Sequence, residues 1–136
     1  MNTPRTQPVI LCVDASNAVL ELDIRGRVLE KAGYRVLTAT SMRKALEIFR
    51  ENRVDLVLTE QDLPSSAGGF TIASMKMQKP EVPIVIYSAD LAELREDMRF
   101  ADAFITKLVS VPELLRTIDE LLAKGPTGPI PAKRSA

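Results

Sequence analysis

The sequence predicts an α/β domain: a five-stranded parallel sheet flanked by helices on both faces. Three observations predict it. Short apolar runs rich in β-branched residues alternate with segments of helical period, and the alternation repeats five times. Strand-helix units in series build a parallel sheet through crossover connections, which lay helices over both of its faces. The first run, "VILCV" at 9–13, is continuous rather than alternating, as in a strand buried on both sides. A chain of 136 residues with 46% hydrophobic content also suffices for one domain with a sizeable core.

Each element follows from local chemistry. After the first strand a helix runs from Asn17 to Ala32, with Val28, Leu29 and Ala32 on its inner side, and Gly33 stops it as a C-terminal cap. "YRVLTA" at 34–39 is a second, less apolar strand. Ser41 caps the next helix, where Met42, Ala45, Leu46 and Phe49 fall at i, i+3, i+4 and i+7. "VDLVLT" at 54–59 is the third strand, and the turn-like "LPSSAGG" leads to a helix near 70–78. The fourth strand is "VPIVIYS" at 82–88, with Pro83 tolerable only at its start or on an edge. A short fourth helix near 90–99 precedes the fifth strand, "AFIT" at 103–106. Ser110 and Glu113 make a capping-box pattern for the last helix, with Pro112 in its first turn. Val111, Leu114, Leu115, Ile118, Leu121 and Leu122 form its apolar stripe. The expected organisation is a disordered segment at 1–7, the folded domain at 8–124 and a flexible Pro/Gly-rich tail at 125–136.

Composition removes whole classes of function. Lysine plus arginine equal aspartate plus glutamate at 18 each, so no global field favours nucleic acid or an acidic membrane. Without histidine there is no Cys/His zinc site and no histidine-dependent triad, and the single cysteine, Cys12, reads as a small hydrophobe in a buried strand. The start "MNTPRTQP" lacks an apolar signal core, and no run approaches about 18 apolar residues. A cytoplasmic protein is expected, with neither membrane nor nucleic acid as partner. Open α/β sheets gather ligands at the carboxyl ends of their strands, and those ends hold Asp14, Glu60, Ser88 and Lys107.

Those four positions, with "ILCVDAS", "KAGYRVLTA", "ALEIFRENRVDLVLTEQDLP", "VPIVIYSA" and "ADAFITK" in order, resemble the receiver domains of two-component response regulators, the single-domain chemotaxis type in particular. The resemblance covers residues 8–123 and implies the flavodoxin-like (βα)5 receiver fold and a signalling module rather than an enzyme. It further implies a protein partner, a histidine kinase or a downstream effector. That partner would dock on the face built from the fourth helix, fifth strand and last helix, or on the side of the first helix, with the chain a monomer or weak homodimer.

In the family, acids after strands one and three bind magnesium and the second of these sites accepts the phosphoryl group. A hydroxyl after strand four and a lysine after strand five hold its oxygens. Carried over by position, Asp14 matches the first acid, Glu60 falls on the phosphoacceptor, Ser88 on the hydroxyl, Lys107 on the lysine and Phe104 on the switch aromatic. Ala15 stands where the second acid should be, and Leu108 where proline usually follows the lysine. No cofactor is expected. Magnesium, with Asp14, Glu60 and Asp62 as its candidate ligands, is weakened by Ala15. The extra methylene of Glu60 moves the attacking oxygen by roughly 1.5 Å, and misplacement of about 1 Å can cost about a hundredfold in a positioned reaction.

The resulting expectation is an atypical receiver acting through protein contacts with little or no phosphorylation, Glu60 pairing with Lys107. The alternative is a conventional receiver phosphorylated at Glu60 or Asp62 with weak magnesium dependence. A small α/β nucleotide-binding enzyme is a third reading, disfavoured because the chain has neither G-x-G-x-x-G after strand one nor a G-x-x-x-x-G-K-[ST] loop. Plainer roles also fit each residue: Asp14 as a helix cap, Glu60–Lys107 as an ordinary ion pair, Ser88 as turn chemistry and Phe104 as core filler.

Overall fold

The structure, a computed structural model, describes residues 7–60, 68–89 and 100–124. Its strands are β1 (Val9–Val13), β2 (Arg35–Ala39), β3 (Leu56–Thr59), β4 (Ile84–Ser88) and β5 (Ala103–Thr106). They form one parallel sheet in the order β2-β1-β3-β4-β5. The described helices are α1 (Val19–Lys31), α2 (Met42–Glu51), α3 (Gly68–Gln78) and α4 (Val111–Lys124), with a 3-10 turn at Ser16–Ala18 ahead of α1. The helix expected near 90–99, the terminal segments apart from Gln7, and Asp62 lie outside the described residues.

The sheet is covered on both faces, as the continuous apolar runs require. On one face Ile10, Cys12, Leu56, Leu58 and Val85 pack with Leu22 and Leu29 of α1 and Leu114, Ile118 and Leu121 of α4. On the other, Leu11, Val13, Val57, Ile84 and Ile86 pack with Met42, Ala45 and Phe49 of α2 and Ile72 and Met75 of α3. The less apolar β2 is an edge strand, with Arg35 and Thr38 exposed.

Helix ends are fixed by the residues expected to fix them. Gly33 adopts φ 104°, and the N–H groups of Gly33 and Tyr34 donate to Glu30 O and Leu29 O, a Schellman closure of α1. The Ser41 hydroxyl accepts the Lys44 N–H at 3.1 Å, and Ser110 Oγ accepts the Glu113 N–H at 3.3 Å. Lys79 closes the other end of α2, donating to Phe49 O at 2.6 Å and Asn52 O at 3.0 Å.

β2 begins one residue later than the apolar pattern suggests, and β3 and β4 two residues later. Val54 and Val82 are buried, yet the ladder starts at Leu56 and Ile84. Carboxylates occupy the entry positions. Asp55 Oδ2 accepts the Val9 N–H and Asp102 Oδ2 the Ile84 N–H, each at 2.7 Å. Pro83, which has no N–H, sits just before β4 and contributes its carbonyl to Val57 N–H.

The inner face of α1 also differs from expectation. Leu22, Arg25, Gly26 and Leu29 are buried, whereas Val28 is half-buried and Ala32 exposed. Spacing of i, i+3, i+4 and i+7 defines that stripe, and it carries an arginine to the sheet.

Tyr34, just beyond α1, donates its hydroxyl to Asp119 Oδ1 of α4 at 2.8 Å. Burial, with Asp119 beside it, pushes the phenol up to about 12 from 10.0. This bond joins the two helices of one face. Tyr34→Phe is expected to destabilise the fold by about 1 kcal/mol, read in urea as a lower midpoint at an unchanged slope.

Candidate functional site

The chain leaves β1 toward β2 on one side and returns to β3 on the other, so the order reverses between β1 and β3. Residues just past these two strand ends flank the switch point where open sheets bind ligands. They are Asp14 and Glu60. The ladder fixes their placement: Val13 is in register with Thr59. Beyond it, Asp14 N–H donates to Ala39 O and Glu60 N–H to Val13 O. Ser88, buried, is in register with Thr106, and its carbonyl accepts the Lys107 N–H at 2.9 Å. The parallel register therefore carries all four strand-end residues to one edge.

Three of them meet through side chains. Lys107 Nζ lies 2.7 Å from Glu60 Oε1 and 3.1 Å from Asp14 Oδ2. The expected Glu60–Lys107 pair is thus present, and it is extended by Asp14. Glu21 Oε1 of α1 stands at the rim, 3.9 Å from the same ammonium. Asp14 is 2% exposed, so its charge needs partners to be tolerated. Its Oδ1 accepts the Ala15 N–H at 2.8 Å, and its Oδ2 accepts from both Lys107 and Arg25. It is not the helix cap: the cap position before the 3-10 turn is Ala15, without a side-chain cap bond.

Arg25 was not among the residues anticipated. Its Nη2 is 3.1 Å from Asp14 Oδ2, and its side chain is 9% exposed. The guanidinium lies 5.0 Å from the centroid of the Tyr87 ring, and the Lys107 ammonium 5.8 Å from the same ring. Tyr87, from β4, thereby faces both cations with its π-surface. The cluster holds two carboxylates, Asp14 and Glu60, and two cations, Arg25 and Lys107. One signal in the sequence could have found Arg25: it falls on the buried stripe of α1, at i+3 from Leu22.

Burial alone would lower the Lys107 pKa. Hydrogen bonds that its ammonium donates to Glu60 and Asp14, with their charges, outweigh it and raise the value above the ordinary 10.5. Phe104 is half-buried, in register with Ile86, and packs against the cluster that contains α2 and α3. Cys12 is fully buried, and burial pushes its thiol up to about 12, which keeps it an unreactive packing residue. Leu108, next to Lys107, is 85% exposed. No helix among the described residues is long and apolar enough to cross a membrane.

Comparison with known proteins agrees with this fold. The family model described as response regulator receiver domain matches residues 10–119. The transcriptional regulatory protein YvrH of Bacillus subtilis is 32% identical over 113 residues, covering 80% of this chain and 46% of its own. The chain therefore spans about half the length of that relative. A CheY-like response regulator receiver domain protein from Methanospirillum hungatei superposes with a TM-score of 0.76 at 28% identity, over 88% of this chain and 96% of that one. TrrA of Thermotoga maritima, solved in complex with Mg(2+)-BeF, gives a TM-score of 0.74 at 23% identity over 85% and 99% of the two chains. It has also been solved in complex with the histidine kinase ThkA.

The ion cluster sets a pH signature. A lysine whose folded pKa is raised contributes stability that is complete below its ordinary 10.5 and is lost as pH climbs through the folded value. Glu60→Gln is therefore expected to cost about 1 kcal/mol near neutrality, with the gap to the parent shrinking above pH 10.5. In a double-mutant cycle with Lys107→Ala, measured by urea unfolding, the two losses should be less than additive. Additive losses would mean that the pair is not coupled.

Proposed function

This chain belongs to the response regulator receiver family of two-component signalling, and from that premise we propose that it signals through protein contacts with little or no phosphoryl transfer. One observation carries the reading: the carboxylate at the acceptor position, Glu60, is already held 2.7 Å from Lys107. That lysine is the group which, by family resemblance, would otherwise hold a phosphoryl oxygen. A second carboxylate, Asp14, shares the same ammonium. Phosphoryl transfer depends on positioning and on neutralising the transferred oxygens. Here the positioning carries an extra methylene and the neutralising cation is engaged. Glu60 supplies one negative charge where a phosphoryl group supplies nearly two, so it acts as a fixed, partial surrogate.

The partner is a signalling protein, a histidine kinase or a downstream effector, as the ThkA complex of TrrA suggests by analogy. The α1 side is the favoured contact. Val19, Leu20 and Ile24 of α1 are 55%, 72% and 54% exposed, and Leu108 beside Lys107 is also bare. Lys107 reaches Glu21 across the gap between α1 and the β5–α4 connection, so these apolar residues flank a charged rim.

Intact mass after incubation with acetyl phosphate and magnesium tests the proposal. The expected result is no stoichiometric adduct, and no saturable change in amide spectra around Glu60 on adding beryllofluoride with magnesium. A phosphoryl group mapped to Glu60 or Asp62 would contradict it.

A further inference from the structure

We propose that Arg25 is a built-in cation on the carboxylate which, by family resemblance, would hold a divalent metal, so that charge closes this edge to magnesium. The proposal rests on the reading of the site as one without phosphoryl transfer and supplies its physical cause. The simpler account blames Ala15 alone, because the missing acid removes a ligand. The cluster points further.

Magnesium requires near-octahedral oxygen coordination and is commonly held by one or two carboxylates with waters. Asp14, the first candidate ligand, has both oxygens engaged. Oδ1 takes the Ala15 N–H, and Oδ2 takes Arg25 and Lys107, each at 3.1 Å. Three of the roughly four acceptor sites of this carboxylate are therefore taken, two of them by cations, and the site as it stands does not fit the ion.

Arg25 is also difficult to displace. A guanidinium keeps its charge at any ordinary pH, and its planar fork suits both a carboxylate and an aromatic face. It has both partners, Asp14 and the Tyr87 ring at 5.0 Å. Removing it from Asp14 would leave a 9% exposed charge without its counter-ion, an arrangement that proteins rarely tolerate. A divalent ion entering here would meet two fixed cations around a pair of carboxylates that they already neutralise. Restoring an acid at position 15 would not remove that repulsion. Removing Arg25 would.

The two accounts separate when Mn(2+) alone is used as a probe with the full chain, read by water-proton relaxation and by the rise in melting temperature on adding the ion. Ala15→Asp alone should bind only weakly. Ala15→Asp with Arg25→Met, which keeps an apolar stem over Tyr87, should bind at least about tenfold tighter, because it removes one of the two positive charges beside the carboxylates. Ala15→Asp with Arg25→Lys keeps the charge and should bind like Ala15→Asp alone. Equal affinity of Ala15→Asp and its Arg25→Met combination would overturn the proposal. So would equal affinity of the Lys and Met combinations. If the Met combination is unfolded without metal, recovery of its far-UV signal on titrating Mn(2+) supports the proposal, and failure to recover overturns it. A parent protein that takes a phosphoryl group, alongside the predicted Mn(2+) pattern, would sink the functional reading and leave the role of Arg25 standing.

Discussion

One carboxylate oxygen organises this molecule's carboxyl edge. Asp14 Oδ2 accepts from Arg25 of α1 and from Lys107 after β5, and Lys107 in turn holds Glu60 after β3. A buried charge is tolerated only with partners, so Asp14 commits a helix and a distant strand end to fixed positions. The Tyr87 ring from β4 faces both cations and links the remaining central strand to the arrangement. Contacts that are 11 and 93 residues apart in sequence meet at one atom. The sheet can bring them together because its parallel register aligns every strand end.

This constraint gives the functional reading its logic. Under the proposed reading, the acids and the lysine engage one another rather than a metal or an incoming group. In this chain the acids and the cations satisfy one another. The proposed contact surface is then the rim around Glu21 and Lys107, with the bare apolar residues of α1 beside it.

Much of this was legible in the sequence, for reasons that are local. β1 and β5 fall where their apolar runs fall, and Gly33, Ser41 and Ser110 close their helix ends by backbone chemistry that neighbouring residues decide. The edge character of β2 follows from its weaker apolar pattern. Hydrophobicity misplaced the starts of β3 and β4 because burial and ladder pairing are different properties. Val54 and Val82 are buried without pairing, and Asp55 and Asp102 take N–H groups at the sheet's entry. The anticipated Glu60–Lys107 pair is present, whereas Asp14's part in it was not anticipated and Arg25 was missed because a charged residue on a helix is ordinarily assigned to solvent. Its partners lie on other elements, and only the three-dimensional fold brings them into reach.

The central claim is that Arg25 and Glu60, which belong to separate ion pairs, are parts of one neutral cluster joined through Asp14 and Lys107. A double-mutant cycle between Arg25→Met and Glu60→Gln, followed by urea unfolding at neutral pH, tests it most directly. Each single change leaves the cluster with an unbalanced charge, whereas the double change removes one cation and one anion together. The account predicts that the double variant is more stable than the sum of the single losses allows, by on the order of 1 kcal/mol. Additive losses would contradict it and reduce the cluster to independent ion pairs.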